Sequence, residues 1–139
     1  MYKLLIVDDE KLIRDRLAYD FDWETMGFTV CGTAGNGLEA LQLIEDVKPD
    51  LVLTDMVMPV MGGLELIDRL QSRDSRIGVV VLSGYSDFEN VRAALQMGAL
   101  DYILKPVNPE EVAERFEKIT RKLDADSQAQ RQQSITARI

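Results

Sequence analysis

The chain has 139 residues, 46% hydrophobic and 29% charged, the composition of one compact globular domain and not of a disordered or fibrous chain. A formal net charge of −8 makes it a poor non-specific ligand for nucleic acid, which binds through lysine and arginine. A single cysteine, Cys31, and no histidine exclude an intramolecular disulfide, a multi-thiolate zinc site and catalysis through Ser-His-Asp or Cys-His pairs.

The chain opens on a short apolar run, Leu4–Val7, that meets Asp8-Asp9-Glu10 at once. This is too short and too quickly acidic for a signal peptide. No apolar stretch approaches the ~18 residues of a membrane span, so a cytoplasmic protein without a membrane partner is expected. Four further apolar, β-branched-rich runs follow: Phe28–Cys31, Leu51–Thr54, Val79–Leu82 and Tyr102–Leu104. Several are apolar at consecutive positions, which predicts strands covered on both faces, the parallel-sheet case.

The segments between them carry helical spacing. Leu12, Ile13 and Leu17 predict a first inward face, and Leu38, Leu41 and Ile44 a second, with Asn36 as its cap. Leu64, Ile67 and Leu70 make a third. Val91, Ala94, Leu95 and Gly98 make a weaker fourth, with Ser86 as its cap. The last is the cleanest: Val112, Phe116, Ile119 and Leu123 share one face behind Pro109 in the first turn. Alternation of this kind predicts an α/β fold, (βα)5, doubly wound around one parallel sheet. After Leu123 the apolar spacing stops. Residues 1–123 are thus expected to form one domain. Residues 124–139 are expected to be a polar tail, either a disordered terminus or a linker, with a helical one among the options, toward an output domain not present here.

In an open parallel sheet, ligands bind beyond the carboxyl ends of the strands. Asp8, Asp9 and Glu10 follow the first run, Asp55 the third, Ser83 and Gly84 the fourth, and Lys105 and Pro106 the fifth. Acids brought together repel unless a cation lies among them, and all-oxygen ligands point to Mg²⁺. A lysine and a hydroxyl beside that ion suit a phosphoryl group, and one carboxylate can serve as nucleophile to give an acyl phosphate. Each residue alone has a bland reading. Asp-Asp-Glu can start a helix, Asp55 can belong to a turn, Lys105 can be a solvated strand-end charge, and Tyr102 a half-buried core aromatic. Their joint placement at strand ends favours a site. Trp23, Cys31, Met56, Met58 and Met61 are read as packing residues.

These same residues carry a resemblance. Leu5-Ile6-Val7-Asp8-Asp9-Glu10, the stretch from Pro49 through Asp55 to Gly63, Leu82-Ser83-Gly84, and Gly98 through Lys105-Pro106 occur in the order and spacing of a known family. From about residue 2 to about residue 123, the sequence resembles the receiver domain of bacterial two-component response regulators. Asp22-Trp23-Glu24 and Ser83 through Phe88 are similar to receivers that precede AraC-type DNA-binding domains. The resemblance, and not the apolar pattern, implies the flavodoxin-like strand order 2-1-3-4-5.

The resemblance implies Asp55 as phosphoacceptor, with Mg²⁺ bound by Asp9 directly, by Asp8 through water, and by Asp55 and the backbone carbonyl of Val57. It implies that Lys105 and Ser83 hold phosphoryl oxygens, with Gly84 offering room and an N–H. A cis bond is implied before Pro106, and Tyr102 as the aromatic that follows Ser83 on switching. Val57 and Tyr85 would flank the path of the hydrolytic water. The implied partner is a sensor histidine kinase, since the chain has no histidine of its own. The switched α4–β5–α5 face would dimerise or contact an output domain, with DNA reached only through that domain. Such a receiver is not a conventional turnover enzyme. The rivals are a stand-alone receiver, a receiver that no longer takes phosphate, and a Mg²⁺-dependent phosphohydrolase. Val57, standing where a hydrolase would carry its second acid, counts against the last. Two departures from the family are small: Gly62 where Asp or Asn is frequent, and Ser83 for threonine.

Overall fold

The structure, a computed structural model, describes residues 1–73, 76–84 and 86–137, with side chains to Asp126. Strands β1 (Tyr2–Val7), β2 (Phe28–Ala34), β3 (Leu51–Asp55), β4 (Gly78–Ser83) and β5 (Asp101–Leu104) alternate with helices α1 (Lys11–Tyr19), α2 (Gly37–Val47), α3 (Gly63–Ser72), α4 (Phe88–Gln96) and α5 (Pro109–Ala137). All strand pairs are parallel, in the order β2-β1-β3-β4-β5. The expected strands are all present, each reaching beyond its apolar run at one end or both. The register sets Val7 beside Thr54, Asp55 beside Leu82 and Ser83 beside Leu104, so the ends of four strands form one edge. Among the described residues, no helix is long and apolar enough to cross a membrane.

Alternation along the strands divides the core in two. Leu5, Val7, Val52, Val79 and Val81 pack under α2, α3 and α4. Leu4, Ile6, Leu53, Val80, Leu82 and Ile103 pack under α1 and α5. Of the Asp22-Trp23-Glu24 stretch, Trp23 belongs to the second layer, and both acids are exposed. The Trp23 indole N–H donates to the Leu17 carbonyl at 2.7 Å, and its ring lies 5.0 Å from that of Phe116. Trp23 thereby ties the end of α1 to α5.

Several helix expectations need correction. Leu12 is 68% exposed, and Leu38 and Leu95 are exposed as well. Ala94 faces inward as expected, and Ala40 takes an inward position on α2 that the spacing did not assign, because small side chains let a helix sit close to the sheet. Asn36 does cap α2, its Oδ1 accepting the Glu39 N–H at 2.9 Å. Ser86 does not cap α4: Asp87 holds that position and makes no side-chain bond to the helix. Helix α5 starts at Pro109 and continues past Leu123 to Ala137, so the tail through Ala137 has helical backbone. Gly37 explains a close approach, since a Cβ there would lie 2.7 Å from Met61 Cγ and 2.9 Å from the Met61 carbonyl oxygen. That contact, with the Gly37 N–H donating to the Met61 carbonyl at 2.8 Å, braces the loop after β3.

Candidate functional site

Asp8 directly follows β1 and is fully buried. Its Oδ1 accepts the Glu10 N–H at 2.9 Å, while its Oδ2 accepts no hydrogen bond and lies 3.5 Å from Lys105 Nζ. Burial pushes the Asp8 carboxyl above its ordinary range. The Glu10 N–H and Lys105 oppose that rise, and the charges of Asp55 and Asp9 add to it. Asp9, one residue on, is exposed. The Asp8 backbone is held from both sides: its N–H donates to Ala34 at 3.1 Å, and its carbonyl accepts from Arg14 Nη1 at 2.8 Å.

Asp55 ends β3, with Oδ1 accepting the Met56 N–H at 2.8 Å and Oδ2 3.0 Å from Lys105 Nζ. Lys105 is aimed by β4, because its N–H donates to the Ser83 carbonyl at 2.8 Å. The Lys105–Pro106 bond is cis. Burial alone would lower the Lys105 pKa, but the hydrogen bond and charge of Asp55, then Asp8, outweigh it and hold the ammonium above its ordinary value. Ser83 is fully buried and its hydroxyl has no hydrogen-bond partner. The Gly84 N–H is engaged, donating to Asp87 Oδ2 at 3.1 Å. There is room at Gly84, for a Cβ there would meet only Asp87 Oδ2, at an ordinary contact distance of 3.7 Å.

Ser83 and Tyr102 line a cavity of about 340 Å³, walled by Val91, Leu95 and Leu104. The Val57 side chain is 66% exposed, whereas Met56, Met58 and Met61 are buried as packing residues. Tyr85 lies outside the described residues. Val60 sits in left-handed backbone at φ 69°, an uncommon conformation for a β-branched residue, in the loop that carries Val57.

The donor set fits a small hard cation. Oxygen atoms of Asp8, Asp9 and Asp55 lie within 4.8 Å of one another, with no nitrogen or sulfur donor among them. One oxygen of the buried member, Asp8 Oδ2, has no hydrogen bond to satisfy it. The arrangement can therefore hold Mg²⁺ beside one nucleophilic carboxylate, one ammonium and one buried hydroxyl. Sequence reasoning missed Arg14, Asp87 and Arg115, which hold Asp8, Gly84 and Tyr102 respectively. Only Asp87, three residues beyond Gly84, gave a local signal, that of a turn acid.

The response regulator receiver domain pattern matches residues 4–117. The uncharacterized transcriptional regulatory protein YesN of Bacillus subtilis is 39% identical over 123 residues, which are 88% of this chain and 33% of YesN. The transcriptional regulatory protein HptR of Staphylococcus aureus is 42% identical over 108 residues, 78% of this chain and 42% of HptR. The chain thus spans less than half the length of these curated relatives. Among solved structures, the receiver domain of AraT, a response regulator from Geobacillus stearothermophilus, superposes with a TM-score of 0.82 at 32% identity, covering 91% of this chain and 98% of that one. A CheY-like receiver domain protein from Methanospirillum hungatei gives 0.76 at 33%, covering 93% and 98%.

Proposed function

The chain belongs to the response regulator receiver domain family, and from that premise we propose that it accepts a phosphoryl group on Asp55 from the histidine of a sensor kinase. The observation that carries this reading is the meeting of Asp55, Lys105 and the unpartnered Ser83 hydroxyl beside a buried acid. Asp55 attacks phosphorus as a carboxylate. The O–P bond forms, the P–N bond breaks, and the imidazole leaves with the electron pair and takes a proton. Lys105, kept protonated by its two acids, pairs with phosphoryl oxygens as charge leaves the Asp55 carboxylate. The Ser83 hydroxyl donates to another of those oxygens, which gives it the partner it otherwise lacks. Mg²⁺ held by Asp9, Asp8, Asp55 and the Val57 carbonyl would supply positive charge toward the same oxygens.

Movement of Ser83 toward the phosphoryl group opens space in the cavity it shares with Tyr102, and the Tyr102 ring follows. The α4–β5–α5 face changes with it, as a shift between two pre-existing arrangements. A transcriptional output is supported by YesN and HptR, whose names describe transcriptional regulation and whose lengths extend well beyond the matched segment. DNA would be reached through that further part, since this body is acidic. The protein is a switch that turns its own phosphate over slowly, with Val57 offering no group to position or protonate a water.

Acetyl phosphate with Mg²⁺ should add about 80 Da to the protein, the mass of one phosphoryl group. Asp55→Asn should abolish the adduct while leaving the circular dichroism spectrum unchanged. An Asn variant that still takes one full phosphoryl group overturns the assignment.

A further inference from the structure

Strand β5 is an edge of the sheet. Tyr102 pairs with Val81 and packs with it in the layer under α2, α3 and α4; Ser83, two residues beyond Val81, shares that face. Arg115 arises from α5, which packs in the opposite layer through Val112, Phe116 and Ile119. Its side chain nevertheless turns round the edge of the sheet. The guanidinium carbon lies 4.6 Å from the Tyr102 ring centroid.

Two acids fix it there. Arg115 Nη1 is 2.7 Å from Asp101 Oδ1, and Nε is 3.6 Å from Glu111 Oε1. The same Asp101 oxygen accepts the Tyr102 N–H at 2.8 Å. One carboxylate oxygen thus holds both the backbone of Tyr102 and the cation that covers its ring. The Arg115 side chain is only 28% exposed, so the stack is partly screened from water, where cation–π attraction is stronger. Tyr102 also lines the cavity of about 340 Å³ shared with Ser83, a place for the ring to go. A ring that moves into it gives up the stack.

We propose that Arg115 is a positioning residue that latches Tyr102 at rest, so that the inward move of Tyr102 breaks its stack with Arg115 and passes the state of Asp55 across the sheet edge to α5. This rests on the reading of Tyr102 as the switch aromatic and names the contact that sets its balance. Asp101 and Glu111 would satisfy the guanidinium without Tyr102, and the stack on the ring is what couples the two layers. Without the latch, the inward arrangement costs less, and the resting population shifts toward it.

The test uses the protein labelled with 3-fluorotyrosine, with the Tyr102 ¹⁹F resonance assigned through Tyr102→Phe. Beryllofluoride with Mg²⁺ serves as the phosphoryl mimic. In wild type the Tyr102 resonance should move on adding the mimic. In Arg115→Ala it should already lie part-way along that path without mimic, and half-conversion should need about 3-fold less mimic or lower still. Arg115→Lys, which keeps a cation near the ring, should fall between the two. A purely structural role would lower urea stability, read by Trp23 fluorescence, without moving the resting resonance along that path. If wild type responds while Arg115→Ala starts at the wild-type resting position and titrates identically, the latch alone is overturned. If the wild-type resonance does not move, the switch reading of Tyr102 falls and the latch falls with it.

Discussion

Replacing Lys105 by methionine removes the cation shared by Asp55, 3.0 Å away, and Asp8, 3.5 Å away, and keeps most of the apolar stem. At an effective dielectric of ~20 each attraction is about 5 kcal/mol before desolvation is subtracted. Removing one partner of a fully buried pair costs about 3–5 kcal/mol, chiefly because the other charge is left without compensation. Lys105 is 25% exposed, so solvent screening brings the expected loss down to about 2 kcal/mol. For a domain of this size that lowers the melting temperature by roughly 7 °C. Urea unfolding followed by the fluorescence of Trp23, buried against Phe116, measures the loss in Mg²⁺-free buffer. Part of the cost lies in the stranded charge of the fully buried Asp8, so Lys105→Met should cost measurably less in an Asp8→Asn background, where only the Asp55 pair is lost. Saturating Mg²⁺ should stabilise Lys105→Met more than wild type, since the ion then provides the missing charge. Equal losses in the two backgrounds would refute the pairing of Asp8 with Lys105.

The raised pKa of Asp8 has a definite sign. The folded state holds this proton more tightly than the unfolded chain, so wild type gains stability relative to Asp8→Asn as pH falls through the folded pKa, and the gain levels off near the ordinary value of 3.8. Without Mg²⁺, Asp8→Asn should therefore be the more stable protein at pH 7, and its advantage should shrink on acidification, as urea midpoints across the range will report. Gly37→Ala should lose about 1–3 kcal/mol, because the new methyl meets a backbone oxygen of Met61 as well as its side chain. After phosphorylation, Val57→Asn should lose phosphate at least about 3-fold faster than wild type, by positioning water where valine cannot. A mass-spectrometric time course after removal of the donor measures it, and an unchanged rate would show that position 57 does not set the lifetime.

The strands were legible because buried parallel strands demand consecutive apolar residues, and Leu4–Val7 and Val79–Leu82 supply them. The meeting of Asp8, Asp55, Ser83 and Lys105 was legible for a related reason: each directly ends or follows such a run, and parallel strands bring those ends together. Helix faces were less readable. Leu12 and Leu38 satisfy the period yet face solvent, while Ala40 is buried because of how closely its helix approaches the sheet. The engaged Gly84 N–H depended on Asp87, whose reach is a matter of turn geometry. Arg115 was the least visible. Thirteen positions beyond Tyr102 and in the opposite layer, it meets the ring only because β5 is an edge strand.

Borohydride reduction tests the central claim most directly. An acyl phosphate is reduced to an alcohol, whereas a free carboxylate and a serine phosphate ester are left intact, so the reagent reports the nucleophile by its chemistry. After exposure to acetyl phosphate and Mg²⁺, peptide mass spectrometry should find homoserine at position 55 and unaltered aspartate at positions 8 and 9. The product should be missing when either the phosphodonor or Mg²⁺ is omitted. Homoserine at position 8 or 9, or a borohydride-resistant phosphate on Ser83, would contradict the account.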